Sequence, residues 1–572
     1  MKIETQDDQS SLLQSKQPCR LYLYGQNPQY VSTLKNNFAG MKIPLVVGEM
    51  GIEVSSTDTV DEGLSLVLTN YIHAIVFELS TDPVRGLHFR EKIREDETKR
   101  ALPILFIMPE NYWCDVDLLG KVYEDPYSFA LPDSVDFKTL FTKLKTSINF
   151  EMLHIYKNHF DRNMHLAHHL QQTMLPPWVY FGKSYEFSTF YLPHNVVGGD
   201  LVEWFPLDDE RVLFIFGDIS GHDTYSALAM STVHSFVSHL IEVDKEKARR
   251  PCLIANEIHA YFCRHFAGIV SLAALIGYFD FRSNYLCYLN AGYENLICFD
   301  SLTGKTDLLN PDYIGNMPLG RNNDSLYPEN DSMEYWFSDF SVFMFFSDGL
   351  TDLSKDIDGF TYMDKDLLCE LVSGLVMEMR DEEKSITIPF RCYQLLQQHG
   401  YLFPQDDLTM GIIRKPLHLE KEFTFACRVP ADNKSVDEIC EKSSAFVSEY
   451  YQDERLSVDS ELLLEEYLVN VIMHGLNEYE KLYDFIAIRL HAYDDKLKLM
   501  IWDRGKEWNG ELMQKELAED ILDKANENLQ GAGRGLPIIS TIASQGSRQR
   551  FSGLNETIFF IPKRTGKEDD VK

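Results

Sequence analysis

Three apolar runs in the middle of this chain each have an aspartate at one end, and no other feature limits its fold as strongly. Val212 to Phe216 is apolar without alternation, and Gly217 and Asp218 follow directly. Val342 to Phe346 repeats the pattern and closes on Ser347, Asp348 and Gly349. Asp406 and Asp407 stand just before a third run, Leu408 to Ile413. Short apolar runs of this kind read as strands buried on both faces. Upstream, Gly198, Gly199 and Asp200 form a tight glycine turn that ends in a carboxylate. Downstream, His222 and Asp223 lead into Ala227, Met230, Val233, Val237 and Leu240, which recur at helical spacing.

An Asp-Gly pair taken singly is a common turn. Three strand-end aspartates in one segment are hard to leave to turns. Convergent carboxylates repel one another and shift toward the neutral form unless a cation sits among them. Carboxylates with water are what Mg2+ or Mn2+ prefers, and a paired site activates water at neutral pH.

At 572 residues the chain is too long for one core, so three or four domains are expected. The net charge of -34 argues against non-specific DNA or RNA binding, which rests on basic patches. The ten cysteines are scattered without a CxxC pair, and the chain opens without a signal peptide, which reads as reduced thiols in a cytosol. The apolar runs are too short to span a membrane.

The order GGD, GDISGHD, NAGYEN, IGNMPLG, FFSDGLTD and DDLTM, over about residues 180 to 415, resembles the PPM family of metal-dependent Ser/Thr protein phosphatases in its bacterial SpoIIE or RsbU-like branch. The resemblance implies an α/β sandwich of two sheets flanked by helices, with two Mn2+ or Mg2+ ions at the sheet edge. In that family the ions activate water for in-line attack on phosphorus, and no phospho-enzyme forms. By the same resemblance Asp218 bridges both metals, with the backbone carbonyl of Ile219 beside it. Asp348 and Asp406 supply the other protein ligands, and Asp200 contacts the water network around the metals. Tyr293 stands where the branch usually has His in its NAGH turn, a position that is not a metal ligand. No substrate-phosphate Arg is identified.

Residues 1 to 17 are polar and read as loose. Strands at Leu21 to Tyr24, Ala74 to Phe77 and Pro103 to Met108 then alternate with helical patterns such as Val84 to Ile93. That alternation predicts a parallel sheet with helices on both faces. The region resembles a degenerate response-regulator receiver. The family's acidic pair falls on Gly25 and Gln26, its phosphoacceptor on Glu78, its Thr or Ser on Met108, and its Lys on Leu131 before Pro132. None retains the phosphotransfer chemistry, which implies a pseudo-receiver that senses an upstream signalling protein by contact. Glu78 reads either as a mimic of a permanently modified state or as an ordinary rim carboxylate.

Residues 138 to 173 pattern as a long polar helix with a seam of Leu144, Ile148, Ile155, Leu166 and Leu170, interrupted by His159 and Arg162. The LAHHLQQTMLPP segment resembles the helix before the phosphatase core in this branch, where it transmits a sensor's state, often through dimerisation. A homodimer through this helix is therefore among the expectations. His159, His165, His168 and His169 read as a solvated helix face rather than a metal site.

After a connector at 416 to about 425, SELLLEEYLVNVIMHG patterns as a helix on which Glu466 and Asn470 share one face. An apolar strand ends at Asp503 and Gly505, and Gly531, Gly533 and Gly535 lead directly into a further helix. Glycines at a helix start let backbone N–H groups close on phosphates. The set resembles the α+β GHKL ATPase fold in its RsbW-like anti-sigma-factor kinase branch. The resemblance assigns Asn470 to Mg2+ on ATP, Glu466 to the general base, Asp503 and Gly505 to adenine, and Gly531, Gly533 and Gly535 to the phosphates. Glu507 replaces the second glycine of the usual DxGxG motif, and there is no phospho-accepting His box. NETIFFIPK resembles the closing strand, and the last eight residues are a charged tail.

The expected chain is multidomain: a receiver-like domain over 18–137, a helical linker over 138–177, a phosphatase over 178–415 and an ATPase over 425–564. The resemblances imply a partner-switching regulator whose two enzymes act in opposite directions on a Ser or Thr of a small STAS-type anti-sigma-factor antagonist. Its C-terminal domain would also capture a sigma factor. Two rivals stand beside this. The ATPase module binds ATP and sequesters the sigma factor without transferring phosphate, or the chain is a plain phosphatase with a regulatory ATP module.

Overall fold

The computed structural model describes residues 18–563 apart from 47, 80–82, 222–223, 267, 301–303, 311–314, 322–325, 340, 359–360, 380–383, 417–422 and 508–534. The loose N-terminus, most of the connector after residue 416, Gly531, Gly533 and the charged tail therefore lie outside the described residues, as do His222 and Asp223. The chain divides into two compact units, Met1–Asn163 and Met164–Lys572. Among the described residues no helix is long and apolar enough to cross a membrane.

The first unit is a six-stranded sheet of β1 (Cys19–Tyr24), β2 (Lys42–Leu45), β3 (Gly48–Ser56), β4 (Ala74–Glu78), β5 (Ile104–Met108) and β6 (Ser128–Pro132), in the order β2-β3-β1-β4-β5-β6. All pairings are parallel except β2 on β3, an antiparallel edge hairpin that the strand–helix alternation did not predict. Without that edge, the order is that of a doubly wound 2-1-3-4-5 sheet. Helices α1 (Pro28–Phe38), α2 (Val60–Thr69), α3 (Pro83–Arg94) and α4 (Val116–Tyr123) connect the strands. The buried runs of β4 and β5 explain the apolar sequence there: each is covered on both sides.

A single helix, α5 (Phe137–Met174), runs over the segment expected to be one long helix. Leu144 and Ile148 are buried, whereas Leu166 and Leu170 stand exposed.

The second unit starts with two packed sheets. One runs β15-β12-β11-β10-β9, from β9 (Asp200–Pro206), β10 (Arg211–Ile219), β11 (Leu272–Asp280), β12 (Tyr285–Ala291) and β15 (Met333–Trp336). The other runs β14-β13-β16-β17-β8-β7, from β7 (Val179–Phe181), β8 (Glu186–Leu192), β13 (Ile297–Asp300), β14 (Lys305–Leu308), β16 (Ser341–Phe346) and β17 (Leu408–Arg414). An aromatic layer fills the space between them; Phe216 stacks on Phe345 at 4.4 Å and Phe187 on Trp204 at 3.9 Å. Helices α6 (Thr224–Val243) and α7 (Pro251–His265) cover the first sheet, and a short α8 (Asp348–Thr351), α9 (Lys365–Met379) and α10 (Ile388–Gln398) belong to the side of the second. The expected helical stripe holds: Ala227, Met230, Val233 and Val237 are buried on α6.

A third sheet follows in the same unit, ordered β18-β19-β20-β22-β21 and wholly antiparallel, from β18 (Thr424–Pro430), β19 (Phe485–Ala492), β20 (Lys496–Asp503), β21 (Gln545–Phe551) and β22 (Leu554–Pro562). One face carries α11 (Asn433–Tyr451), α12 (Glu454–Asn470) and α14 (Gly535–Ile542), with α13 (Glu480–Tyr483) between α12 and β19. The other face is buried against the two-sheet module. Ala487, Met500, Trp502 and Ile558 share one core with Phe190, Phe390 and Tyr393.

Two buried carboxylates cross this junction. Glu186 on β8 accepts from Arg414 of its own module, with Nε at 3.1 Å, and from Arg489 on β19. Glu556 on β22 accepts from Trp502 Nε1 at 3.0 Å and from Arg391 on α10 at 3.2 Å. Trp178 Nε1 also donates to the Phe485 carbonyl at 2.9 Å. Removing one member of a buried charge group strands the others, at a cost of about 3–5 kcal/mol. Glu186→Ala is therefore expected to destabilise residues 164–572 by about that much in urea denaturation. Signals from both modules should shift together, and a drop seen in one module alone would contradict a shared core.

Candidate functional site

The strand order explains why distant aspartates meet. In the antiparallel pair of β9 and β10, Asp200 lies directly opposite Asp218. Like charges placed so are destabilising, and the surrounding structure holds them together. Asp200 is fully buried, and Thr409 on β17 donates to its Oδ2 at 2.5 Å. Ser347 ties the ends of β16 and β17: its N–H donates to Thr409 O at 3.0 Å, and its Oγ accepts from Thr409 N at 2.9 Å. That brings Asp348, at the start of α8, beside Asp406.

The acids act on each other through their charges. Burial, then Asp348, Asp406 and Asp407, push the Asp218 carboxyl up to about 7. Burial, then Asp406, Asp352 and Glu294, push Asp348 up to about 6. Burial, then Asp218 and Asp407, push Asp200 well above the ordinary carboxylate range. All four sequence-singled acids, Asp200, Asp218, Asp348 and Asp406, are thus brought into one neighbourhood. Among the described residues no group of three or more His, Cys, Asp or Glu side chains is placed to hold a metal ion as it stands. The donor set nevertheless fits a divalent pair: crowded carboxylates that hold protons near neutral pH are discharged by a cation between them. The Ile219 carbonyl oxygen faces the glycine turn, 3.0 Å from where a Cβ on Gly199 would stand.

The neighbouring Asp406 and Asp407 have different tasks. Asp407 is buried and accepts from His194 N at 2.7 Å and Gly199 N at 2.5 Å, so it clamps the glycine turn while its charge also acts on Asp200 and Asp218. Asp406 is only half-buried and accepts from Asp407 N at 2.8 Å. Gly349 is required by close approach, since a Cβ there would lie 2.0 Å from Asp407 O.

Several site residues escaped the sequence reading. Gln171 on α5, buried, donates from Nε2 to Gly198 O at 2.6 Å and accepts from Gly198 N at 3.1 Å. His168 and His169, expected on a solvated face, instead make contacts. His168 Nδ1 lies 2.7 Å from Val196 O, and His169 stacks on Tyr479 at 4.4 Å. Tyr293 is buried within reach of the Asp200, Asp348 and Asp218 charges. Lys365 pairs with Glu294 at 2.6 Å and acts on Asp352. Asp352 alone had a legible signal, one helical turn after Asp348 in SDGLTD.

In the third sheet, α12 runs to Asn470 and then widens into a π turn, Val471–Gly475, where a plain helix was expected. Such turns often mark functional sites. A cavity of about 320 Å³ opens beside it, walled by Tyr467, Asn470, His474, Asp503, Lys506 and Arg548 among others. Asp503, at the end of β20, is fully buried; its Oδ1 accepts from Gly505 N at 3.0 Å and Asn555 Nδ2 at 2.7 Å. Burial pushes its carboxyl up, and the Arg548 guanidinium holds it back. Gly505 is needed here because a Cβ would lie 3.2 Å from the Gly475 backbone. Asn470 Nδ2 donates to Glu466 O at 2.7 Å, one turn back on α12. Gly535 opens α14, as the glycine pattern predicted. The cavity wall gathers buried acceptors and donors at the Asp503 end and is otherwise largely apolar.

In the first unit, Glu78 lies at the end of β4, and its Oε2 accepts from Asn27 N at 3.1 Å. A Cβ on Gly25 would lie 2.6 Å from that oxygen, so Glu78 fills the space beside the β1–α1 loop.

Residues 208–416 match the family model for Stage II sporulation protein E (SpoIIE), and residues 429–560 match that for the histidine kinase-like ATPase domain. This chain therefore carries a SpoIIE-type PPM phosphatase domain followed by a GHKL-like ATPase domain. Comparison with curated proteins found no match. Among solved structures, the chain is similar to the RsbU and RsbW domains of Rv1364c from Mycobacterium tuberculosis, at 16% identity and TM-score 0.37, over 69% of this chain and 98% of that one. It is also similar to the SiaA-PP2C domain of Pseudomonas aeruginosa, at 19% identity and TM-score 0.37, over 45% of this chain and 98% of that one. A third is the PP2C phosphatase domain, with a fragment of the regulatory domain, of SpoIIE from Bacillus subtilis, at 12% identity and TM-score 0.32, over 41% and 64%.

Two outcomes follow for this site. Metal ligands must shed their protons, and Asp218 and Asp348 sit at about 7 and about 6. Mn2+ binding at pH 6 should release protons, and the release should fade about one unit above the higher value. Calorimetry in buffers of different ionisation enthalpy measures it. Gly349→Ala should push the Asp406 segment away and weaken Mn2+ binding roughly tenfold or more in the same titration.

Proposed function

We propose that this chain is a bifunctional partner-switching regulator of a sigma factor. Its phosphatase removes phosphate from a Ser or Thr of a STAS-type anti-sigma-factor antagonist, and its ATPase domain restores it from ATP. The C-terminal domain also acts as the anti-sigma factor. The observation that carries this reading is the presence, in one compact unit, of a clustered set of strand-end aspartates and a purine-sized cavity beside Asn470 and Asp503.

In this reading Asp218 and the Ile219 carbonyl, with Asp348 and Asp406, hold two Mn2+ or Mg2+ ions, and Asp200 orders the water around them. When bound, the pair supplies a water activated at neutral pH and neutralises charge on the phosphoryl group. Asp407, Thr409 and Gln171 hold the strand ends and the glycine turn in place. In the ATPase domain Asn470 takes Mg2+ on ATP, Asp503 and Gly505 take adenine, and Gly531, Gly533 and Gly535 take the phosphates. Glu466 accepts the proton of the attacking hydroxyl. The domains run 18–137, 138–177, 178–415 and 425–564. The first is a pseudo-receiver that meets an upstream signalling protein by contact, and α5 offers a homodimer contact. The sheet order of the first unit supports the receiver assignment.

One observation favours a second reading, in which the ATPase domain binds ATP and sequesters the sigma factor without turnover. The cavity wall includes Asn470 and not Glu466.

Labelled ATP and a phosphorylated or unphosphorylated antagonist separate the two readings. Asp348→Ala should abolish Mn2+-dependent release of phosphate and spare transfer from ATP. Glu466→Ala should do the reverse. Transfer absent from the unaltered chain selects the sequestering reading, and loss of both activities in either variant rules out separable sites.

A further inference from the structure

Arg548 lines the cavity, and neither the sequence pattern nor the assigned roles account for it. It lies on β21, an edge strand whose SRQRF run looks solvent-facing. Its side chain is nonetheless only 6% exposed and forms part of the cavity wall. Nη1 donates to Tyr467 Oη and, at 3.1 Å, to Thr557 Oγ1. It stands 3.7 Å from Asp503 Oδ2.

The two oxygens of Asp503 are not equivalent. Oδ1 is engaged by the Gly505 amide and the Asn555 side chain. Oδ2 has the longer partners, Tyr467 Oη at 3.4 Å and Arg548 at 3.7 Å. The cavity end therefore presents a carboxylate acceptor next to a guanidinium donor that cannot lose its proton. An aminopurine edge carries the complementary pair: an amino donor with a ring-nitrogen acceptor on each side. A buried guanidinium costs desolvation unless it is paired, and here Tyr467, Thr557 and Asp503 hold it at the cavity wall.

We propose that Arg548 reads the base: it donates to the ring nitrogen beside the amino group that Asp503 accepts. This rests on the ATP-binding reading of the cavity and adds a specificity-determining residue to it. The donor–acceptor pair then recognises two adjacent positions of the base, where an acid alone recognises one.

Nucleotide binding to the full chain tests this by calorimetry with ATP, 1-deaza-ATP and 7-deaza-ATP, which lack the ring nitrogens on either side. A hydrogen bond from a charged group implies a loss of roughly 10- to 100-fold in ATP affinity for Arg548→Met. One deaza analogue should bind the unaltered chain with a similar loss, and Arg548→Met should then bind that analogue no worse than it binds ATP, because both changes delete the same contact. Arg548→Lys, keeping charge without the fork, should recover part of the affinity. Equal binding of ATP to Arg548→Met and the unaltered chain overturns the proposal, as does equal binding of both analogues and ATP to the unaltered chain. If Arg548→Met binds ATP more weakly but the loss is unchanged on every analogue, Arg548 only positions Asp503, and the base-reading role fails. Failure of the unaltered chain to bind any of the three removes the ATP reading itself, a distinct result.

Discussion

Two aspartates facing each other across adjacent strands are the interaction around which the phosphatase half is built. Asp200 and Asp218 meet at one register position of β9 and β10, where like charges oppose folding. The arrangement survives because the rest of the sandwich is stiff. Phe214, Phe216 and Phe345 interlock between the sheets, with ring centres 4.4–4.7 Å apart for Phe345 against each of the other two. Close-packed aromatic layers transmit strain rather than absorb it. The strand ends cannot splay to relieve the repulsion while Asp407 holds Gly199 and Ser347 holds Thr409. The relief that remains is a proton or a cation, which is why these carboxyls sit so high.

The ATPase half is joined to this scaffold through buried charge as well as apolar contact. Glu186 sits between Arg414 and Arg489, and Glu556 between Arg391 and Trp502. Such groups add little net stability over an apolar contact of equal size, because each ion must leave water. They punish misalignment, though: a shift of one register on β8 or β19 would turn a charged side chain toward the wrong face. The apolar part of the junction supplies attraction, and the charged part fixes the register. The phosphatase acids and the cavity beside Asn470 and Asp503 are thereby held in one compact unit.

Local pattern carried the sequence reading a long way, and its limits have a physical cause. The runs Val212–Phe216 and Val342–Phe346 are apolar because sheet and helix cover both sides, so the strands and their terminal aspartates were legible. The alternation of elements gave the parallel sheet of the first unit, and the glycines before α14 gave its start. Side chains whose role depends on a distant partner were not legible. Arg489 meets Glu186 from 303 positions away, and Gln171 meets Gly198 from 27. Arg548 lies on an edge strand yet lines a cavity, which no local pattern announces. Asp406 and Asp407 look interchangeable in sequence. They separate only in their partners: Asp407 accepts from the His194 and Gly199 amides, while Asp406 stands beside Asp348. The β2–β3 hairpin was missed because its four-residue first strand has too little apolar pattern to register.

The last turns of α5 touch both the phosphatase module and the ATPase-like domain, and the two contacts differ in strength. Gln171 satisfies both backbone groups of a buried glycine. Losing it would leave a buried donor and acceptor open, at about 1–3 kcal/mol each. His169 stacks on Tyr479, which is 42% exposed. An aromatic pair contributes about 0.5–1.5 kcal/mol beyond its area, and less where water reaches it. The end of α5 is therefore bound first to the turn that carries Asp200 and only second to the ATPase domain. A displacement of α5 that strained both contacts would break the ring stack before the amide clamp. The aspartate cluster would keep its geometry through small movements of the helix and lose it only once Gln171 let go of Gly198.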